Sequence, residues 1–405
     1  MDNLSHTLIS VLVGEVISRV LPAARPSLPD PTRRGLVVGL MGVGANLPDL
    51  DFIYSSITHN KLDYLLQHRG HTHTVVGAFV IAALAIALCR GWLKYRGLEP
   101  SRRDLCLLLG VALLAPLLHI AMDFTNSYGV HPFWPLHNGW LYGDSVFIVE
   151  PLLWAAATPL VFILRTKIAR MLVALVLIAA VALSFGTGMV PLSLAVALTL
   201  LIAALLALGR YSAPLTALFA GVATWLLTTF CFTVASHMAA QELEALTAQS
   251  DMKLLDHVLS PMPVNPFCWD TILIQSDGER YALRQATLSL APRWISAQSC
   301  RLRGAEDITA PLVPVVAANT EWLHWRGEVV LPVAELKRLA AAHCEMSDLL
   351  RFARAPFFVT RDGSQIMGDL RYDREPEASL SELELGKDTC PRFVPKWQPP
   401  RADLL

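Results

Sequence analysis

Long apolar runs separated by short polar stretches fill the first part of this chain. The clearest runs are 75–92 and 105–122. Each is long enough for a helix to cross a bilayer core at about 1.5 Å per residue. Four more runs follow at about 146–164, 171–188, 191–209 and 214–236, rich in Leu, Ala and Val. Upstream, residues 4–23 are moderately apolar but carry Glu15 mid-segment, so this stretch either spans or lies at the interface. A proline-rich basic loop near 24–34 leads into a Gly-rich apolar helix over 35–47, which Pro48 helps to stop. Pro116 predicts a kink inside 105–122. The pattern changes near residue 237, and from about 250 the charge density is that of a soluble domain. TILIQ and APFFVT are strand-like, and Asp362-Gly363 before another strand-like run is a hairpin signal. VAELKRLAAAH and EMSDLLRFAR have helical periodicity. The end of the chain is Pro-rich after Cys390 and is expected to be loosely ordered. The pattern thus predicts a mainly α protein. A polytopic transmembrane helical bundle of about eight segments occupies 1–240, and a small soluble α+β domain occupies 250–405.

Composition supports a membrane location. Only 17% of residues are charged, against about 25% in an average soluble protein. A net charge of −1 leaves no nucleic-acid footprint. Asp2 and His6 stand where a cleaved signal peptide would be basic, so none is expected. The loops near 19–34, 90–103, 165–170 and 210 hold thirteen Lys and Arg, whereas 51–74, 123–145 and 186–190 hold only Lys61 and Arg69. Basic loops stay in the cytoplasm. The expected topology is therefore multi-pass in a bacterial cytoplasmic (inner) membrane, with both termini and the domain 250–405 extracytoplasmic. Cys89, Cys106 and Cys231 lie in apolar runs and are expected to be packing residues. Cys268, Cys300, Cys344 and Cys390 form no C-x-x-C pair, and outside the cytoplasm they could make two disulfides of unreadable pairing.

That topology brings the polar residues of 1–150 to one side. His6, Asp49, Asp51, His68, His71, His73, His119, Asp123 and Asp144 all fall at outer segment ends. Ionisable groups are expensive near lipid and tend to mark function. His119 and Asp123 are four apart on a predicted helix and share one face. That spacing suits two metal ligands, or a hydrogen-bonded pair. Asp49 and Asp51, if extended, point the same way, and a carboxylate can bridge two cations. H-R-G-H-T-H supplies three imidazoles, with Gly70 allowing the backbone to turn and Arg69 available for an anionic substrate. His59, His131 and His137 lack matching partners and read as surface residues. Asp144 or Glu150 could enter the site or serve as a helix N-terminal charge. The inventory is N/O donors without Cys, which fits zinc or manganese in a hydrolytic centre with donors enough for two or more ions.

M-D-N-L-S-H, L-P-D-L-D, H-R-G-H-T-H, H-I-A-M-D-F-T-N-S-Y-G, D-S-V-F-I-V-E-P and N-P-F-C-W resemble the YdjM family of membrane-bound metal-dependent hydrolases. The resemblance covers about 1–270. It places His6, Asp49, Asp51, His68, His73, His119 and Asp123 at matching positions, and His71 at a variable one. The family is distantly similar to zinc-dependent phospholipase C enzymes, which also use His-x-x-x-Asp.

The expected function is an integral-membrane metal-dependent hydrolase of esterase or phosphoesterase type, acting at the extracytoplasmic face on a phospholipid or other lipid-linked ester. His6, Asp51, His68, His73, His119 and Asp123 are the expected metal ligands. Asp49 or Asp144 is the expected general base, and Arg69 the expected substrate anchor. Membrane lipids are the expected partners, with no nucleic acid, and the sequence is silent on oligomeric state. Two alternatives carry the same residues: a metal-ion transporter, whose ligands would sit nearer the bilayer midplane, and a non-catalytic membrane protein with a structural metal in a closed four-ligand sphere.

Overall fold

A computed structural model describes residues 1–21, 28–248, 250–300, 311–372, 381–387 and 389–405. The membrane part begins with α1 (Asn3–Val20) and α2 (Asp30–Gly44), followed by a 3-10 turn over Pro48–Asp51. Two short helices, α3 (Phe52–Thr58) and α4 (Lys61–Gln67), lead to a second 3-10 turn over His71–His73. The long helices α5 (Val75–Tyr95) and α6 (Arg102–Phe124) follow. Then come α7 (Pro151–Ala156), α8 (Leu160–Ile163), α9 (Lys167–Gly186), α10 (Leu192–Tyr211) and α11 (Pro214–Thr247). Local chemistry sets several of these starts. The Thr74 hydroxyl caps α5 by accepting from the Gly77 N–H at 2.8 Å. Ser101 and Asp104 form a capping box on α6.

Among the described residues, α5, α6, α9, α10 and α11 are long and apolar enough to cross a membrane. A sixth span results if α2 and Pro48–Thr58, bent by 45°, are one crossing. The remaining two expected segments are helical but different in kind. α1 carries Glu15, which pairs with Arg19 one turn on and with Arg34 of α2 at 2.8 Å, so its charge is answered within the protein. The run 146–164 is interrupted: α7 starts at Pro151, and the chain breaks before α8 at Pro159. The expected loop 24–34 is shorter than predicted, because α2 already starts at Asp30; residues 22–27 lie outside the described residues. Cys89 is buried as expected, whereas Cys106 and Cys231 are exposed on their helices.

α11 is 34 residues long, or about 51 Å, against the ~30 Å of a bilayer core. Its last turns carry Ala235, Ala239 and Leu243 into one cluster with Leu259, Trp269, Leu273 and Leu288. The helix thus enters the C-terminal domain directly. That domain holds an antiparallel sheet of order β1-β2-β3-β4, formed by β1 (Lys253–Met262), β2 (Asn265–Ser276), β3 (Arg280–Ser289) and β4 (Leu323–Pro332). After α12 (Val333–Ala342) and α13 (Cys344–Leu349) comes a second sheet of β5 (Pro356–Arg361), β6 (Ser364–Asp369) and β7 (Leu383–Glu384). The β5–β6 turn is Asp362-Gly363, both with positive φ (51° and 80°), as a two-residue hairpin loop requires. Cys268 bonds Cys300, and Cys344 bonds Cys390.

One apolar core joins the two parts. Leu62, Leu65 and Leu66 of α4, with Tyr128 and Trp140, pack with Phe352, Phe357, Leu349 and Trp397. The segment after Cys390 is therefore not loosely ordered. Trp397 is 1% exposed, and its indole N–H donates to the Leu66 carbonyl at 2.8 Å. The His131 ring stacks on the Trp397 ring at 3.9 Å, so His131 is a buried residue and not the surface residue expected.

Candidate metal centre

Three elements meet where α6 ends. The last turns of α6 present His119 and Asp123 on one face. The 3-10 turn after α2 presents Asp49, and the turn before α5 presents His73. One donor atom from each of these four buried residues lies within 4.8 Å of the others. Nε2 of His73 and Nε2 of His119 stand 3.0 Å apart. Each is 3.2 Å from Oδ2 of Asp123, and they are 3.3 and 3.5 Å from Oδ1 of Asp49. Asp49, Asp51 and His68 form a second such group that shares Asp49 with the first.

The surroundings aim these atoms. Nδ1 of His119 donates to the Ala45 carbonyl at 2.6 Å. A carbonyl only accepts, so Nδ1 carries the proton and Nε2 keeps its lone pair. Nδ1 of His73 faces Thr72 Oγ1 at 3.0 Å and Asp51 Oδ2 at 3.3 Å, which leaves its Nε2 toward Asp123 and Asp49. Asp51 clasps the H-R-G-H-T-H turn. It accepts from the Arg69 N–H and the Thr72 hydroxyl, each at 3.0 Å, and lies 3.0 Å from His68 Nδ1. Within that turn the left-handed residue is Arg69, at φ 57°. Gly70 is required for a different reason: a Cβ there would meet the Gln67 carbonyl oxygen at 2.7 Å.

The donor set fits a divalent cation. Oδ2 of Asp123 is buried and makes no well-formed hydrogen bond, its nearest polar neighbours being the two Nε2 atoms at 3.2 Å. Such an atom costs free energy unless a cation or donor meets it. Burial opposes charge on His73, yet Asp123, Asp49 and Asp51 outweigh it and push its pKa up to about 10. Three carboxylates, Asp49, Asp51 and Asp123, thus converge on His73, and together with the two imidazole Nε2 atoms they form an N/O donor set of the kind divalent cations take.

The expected residues are distributed unevenly. His73, His119 and Asp123 lie in the first group, and Asp51 and His68 in the second. Asp49, expected as a base, belongs to both. It does so through a 3-10 turn, not the extended segment assumed, so the two carboxylates serve neighbouring groups. His6 adjoins the first group: Nε2 is 3.1 Å from Asp123 Oδ1, and its ring stacks on His119 at 3.8 Å. Arg69 is buried and already engaged. Nη2 pairs with Asp123 Oδ1 at 3.0 Å, and Nη1 donates to Asn126 Oδ1 at 2.8 Å. The amine of Met1 also pairs with Asp123. Arg69 therefore orients a donor residue, and substrate capture is not its evident task. Asp144 belongs elsewhere. Its carboxylate is held by Arg354 Nη1 at 2.8 Å, and Arg354 also binds Asp256 at 2.8 Å. Glu150 caps α7 and accepts from the Leu152 and Val264 N–H groups, at 3.0 and 3.1 Å. His71 packs against Trp134 and Trp397, outside both groups.

A cavity of about 590 Å³ opens on the second group. Asp49, His68 and Arg69 form its polar wall, Phe52 and Ile148 are apolar and half exposed, and Tyr372 comes from the C-terminal domain. Sequence reasoning missed Tyr128 and Tyr372 on this wall. Tyr128 lies in the His119–Gly129 motif, whose readable chemistry is its His-x-x-x-Asp spacing, while Tyr372 carries no motif.

Residues 1–190 match the family model described as YdjM inner membrane protein. The match contains every residue of both donor groups and ends before α10. Over 154 residues the chain is 24% identical to a Bacillus subtilis (strain 168) protein called "Uncharacterized protein YfhP", an alignment covering 38% of this chain and 43% of that one. The chain thus aligns with less than half the length of this relative. No solved structure matches.

Proposed function

We infer that this YdjM-family membrane protein is a metal-dependent hydrolase, with its centre at the extracytoplasmic face, acting on a phospholipid or another lipid-linked ester. The observation that carries the reading is the second donor group. Asp49, Asp51 and His68 adjoin the buried group, and Asp49 and His68 line the cavity. The four buried donors alone would suit a structural ion. A second position open to a cavity is what a catalytic centre needs and a structural one does not. His119 and Asp123 lie in the last two turns of α6 and the other donors in turns at helix ends, not at mid-span, which argues against a transport pathway.

His73, His119, Asp123 and Asp49 would hold one ion, and Asp49, Asp51 and His68 a second; zinc or manganese suits donors of this type. A divalent ion here supplies Lewis acidity and lowers the pKa of water toward neutrality. The chain's own residues do the rest. Arg69 and Asn126 fix Asp123, the Ala45 carbonyl fixes His119, and Asp51 fixes the turn that bears His68 and His73. Asp49, common to both groups, would be a ligand of both ions, which leaves neither it nor Asp144, paired with Arg354, free to act as the general base. Phe52 and Ile148 give an acyl chain an apolar rim next to the polar wall.

Vesicles of phosphatidylethanolamine and phosphatidylglycerol, incubated with the zinc- or manganese-loaded protein, test the reading by mass spectrometry of the products. Cleavage should appear, vanish with chelator, and fall at least about a hundredfold in Asp49→Asn, since even outer-shell partners of a metal cost 10–100-fold. No cleavage with either metal would remove the lipid reading.

A further inference from the structure

Tyr128 has a feature that the reading above leaves unused. Its side chain is 7% exposed, and its hydroxyl is buried without a hydrogen-bond partner. Buried hydroxyls are ordinarily paired, because leaving one unpaired forfeits its hydration. This one belongs to a residue on the wall of the metal cavity, beside Asp49, His68 and Arg69.

The phenol is also held in place from several directions. Its ring lies 5.1 Å from Phe352, 5.9 Å from Tyr372 and 6.2 Å from Trp140. The Arg69 guanidinium sits 4.8 Å over the ring, and the His68 ring meets it edge-on at 5.4 Å. The Tyr128 N–H donates to Asn126 Oδ1 at 3.0 Å. Nη1 of Arg371 donates to the carbonyls of Ser127 and Tyr128, at 2.7 and 3.3 Å. Arg371 is itself fixed by Asp369 at 2.7 Å. A side chain immobilised this thoroughly, with its one polar atom unused, is preorganised for a ligand.

The charge of the site indicates which ligand. Three carboxylates, Asp49, Asp51 and Asp123, face two divalent positions and the Arg69 cation. With both positions filled, positive charge is in excess, so an anionic oxygen is the favoured guest. We propose that Tyr128 is a substrate-binding residue of this centre, its hydroxyl donating a hydrogen bond to an anionic phosphoryl oxygen. Arg371 of the C-terminal domain is the positioning residue that holds it there. The proposal rests on the metal-dependent reading above and adds to it that the substrate is a phosphoester and that the C-terminal domain completes the site.

Inorganic phosphate is the probe, titrated calorimetrically into the full-length, zinc-loaded protein. Tyr128→Phe deletes only the hydroxyl. Its metal content should equal that of the wild type. Its melting temperature without phosphate should not fall, because the lost hydroxyl had no partner. Its phosphate affinity should drop about tenfold to a hundredfold, the value of one hydrogen bond to a charged group. Tyr54→Phe, on the exposed face of α3, should change none of these. Unchanged phosphate affinity in Tyr128→Phe overturns the assignment and leaves the hydrolase reading intact. A lower melting temperature with unchanged affinity overturns it too, by making the hydroxyl structural. Wild-type protein that binds no phosphate also overturns it, and lipid cleavage in the vesicle assay then shows whether a hydrolase of another ester remains.

Discussion

His119 and Asp144 illustrate how far a single residue's chemistry depends on what lies around it. His119 sits four residues before Asp123 in a long helix, so both its partner and its direction follow from helical spacing. Asp144 looked equivalent, an acidic residue at a segment end, but its partner Arg354 is 210 positions away. Nothing local announces such a pairing. His131 reads as a surface residue for the same reason, since the Trp397 ring that buries it lies near the far end of the chain. Asp123 and Asp144 should separate experimentally. Asp123→Ala and His119→Ala remove donors, so bound metal should fall sharply while the protein still inserts. Asp144→Ala should keep its metal but lose about 3 kcal/mol of stability, because it strips a partner from a buried arginine. His59→Ala and His137→Ala, both exposed, should alter neither quantity. Elemental analysis with denaturant titration measures both effects. Full metal occupancy in the two donor variants would refute the assignment of this centre.

At the scale of elements, periodicity located the long helices well and irregular connections poorly. The runs 75–92 and 105–122 correspond to α5, which continues to Tyr95, and α6, which is extended at both ends. The run 146–164 was apolar enough, but Pro151 and Pro159 cut it into two short helices. Strands β1, β3 and β4 were missed, although Asp277-Gly278 between β2 and β3 is the same hairpin signal that was read at Asp362-Gly363. The tail reads as loose because composition does not reveal a buried tryptophan. The Cys344–Cys390 link, with a sequence separation of 46, also tethers the start of this tail. Loop-closure entropy gives such a bond about 2–4 kcal/mol. Peptide mapping without reductant should recover the pairs Cys268–Cys300 and Cys344–Cys390. Cys390→Ser should speed proteolysis after residue 390 and red-shift the emission of Trp397. Other pairings, or a tail equally resistant in Cys390→Ser, would contradict this account.

For the whole molecule, the donor groups and the C-terminal domain occupy one end of the bundle. Leu66, Tyr128 and Trp140 share a core with Phe352 and Trp397, and Tyr372 of that domain lies on the cavity wall. The two cannot sit on opposite sides of a membrane, so a single topology result locates both. The thirteen-to-two imbalance of basic residues predicts that this end faces outward. A protein lacking Cys89, Cys106 and Cys231 allows single reporter cysteines to be placed where side chains are free. Leu136 is 95% exposed and Val316 is 97% exposed, and both belong to this end. Arg96, exposed between α5 and α6, belongs to the other. A membrane-impermeant maleimide applied to intact cells should label Leu136→Cys and Val316→Cys, and Arg96→Cys only after permeabilisation. The reverse pattern would put the centre in the cytoplasm. The extracytoplasmic lipid would then be out of reach, and the four cysteines of the C-terminal domain would face a reducing compartment in which disulfides rarely persist. Labelling of Leu136→Cys and Val316→Cys from opposite sides would contradict the shared core itself, because chain segments packed together in one interior cannot be divided by a bilayer.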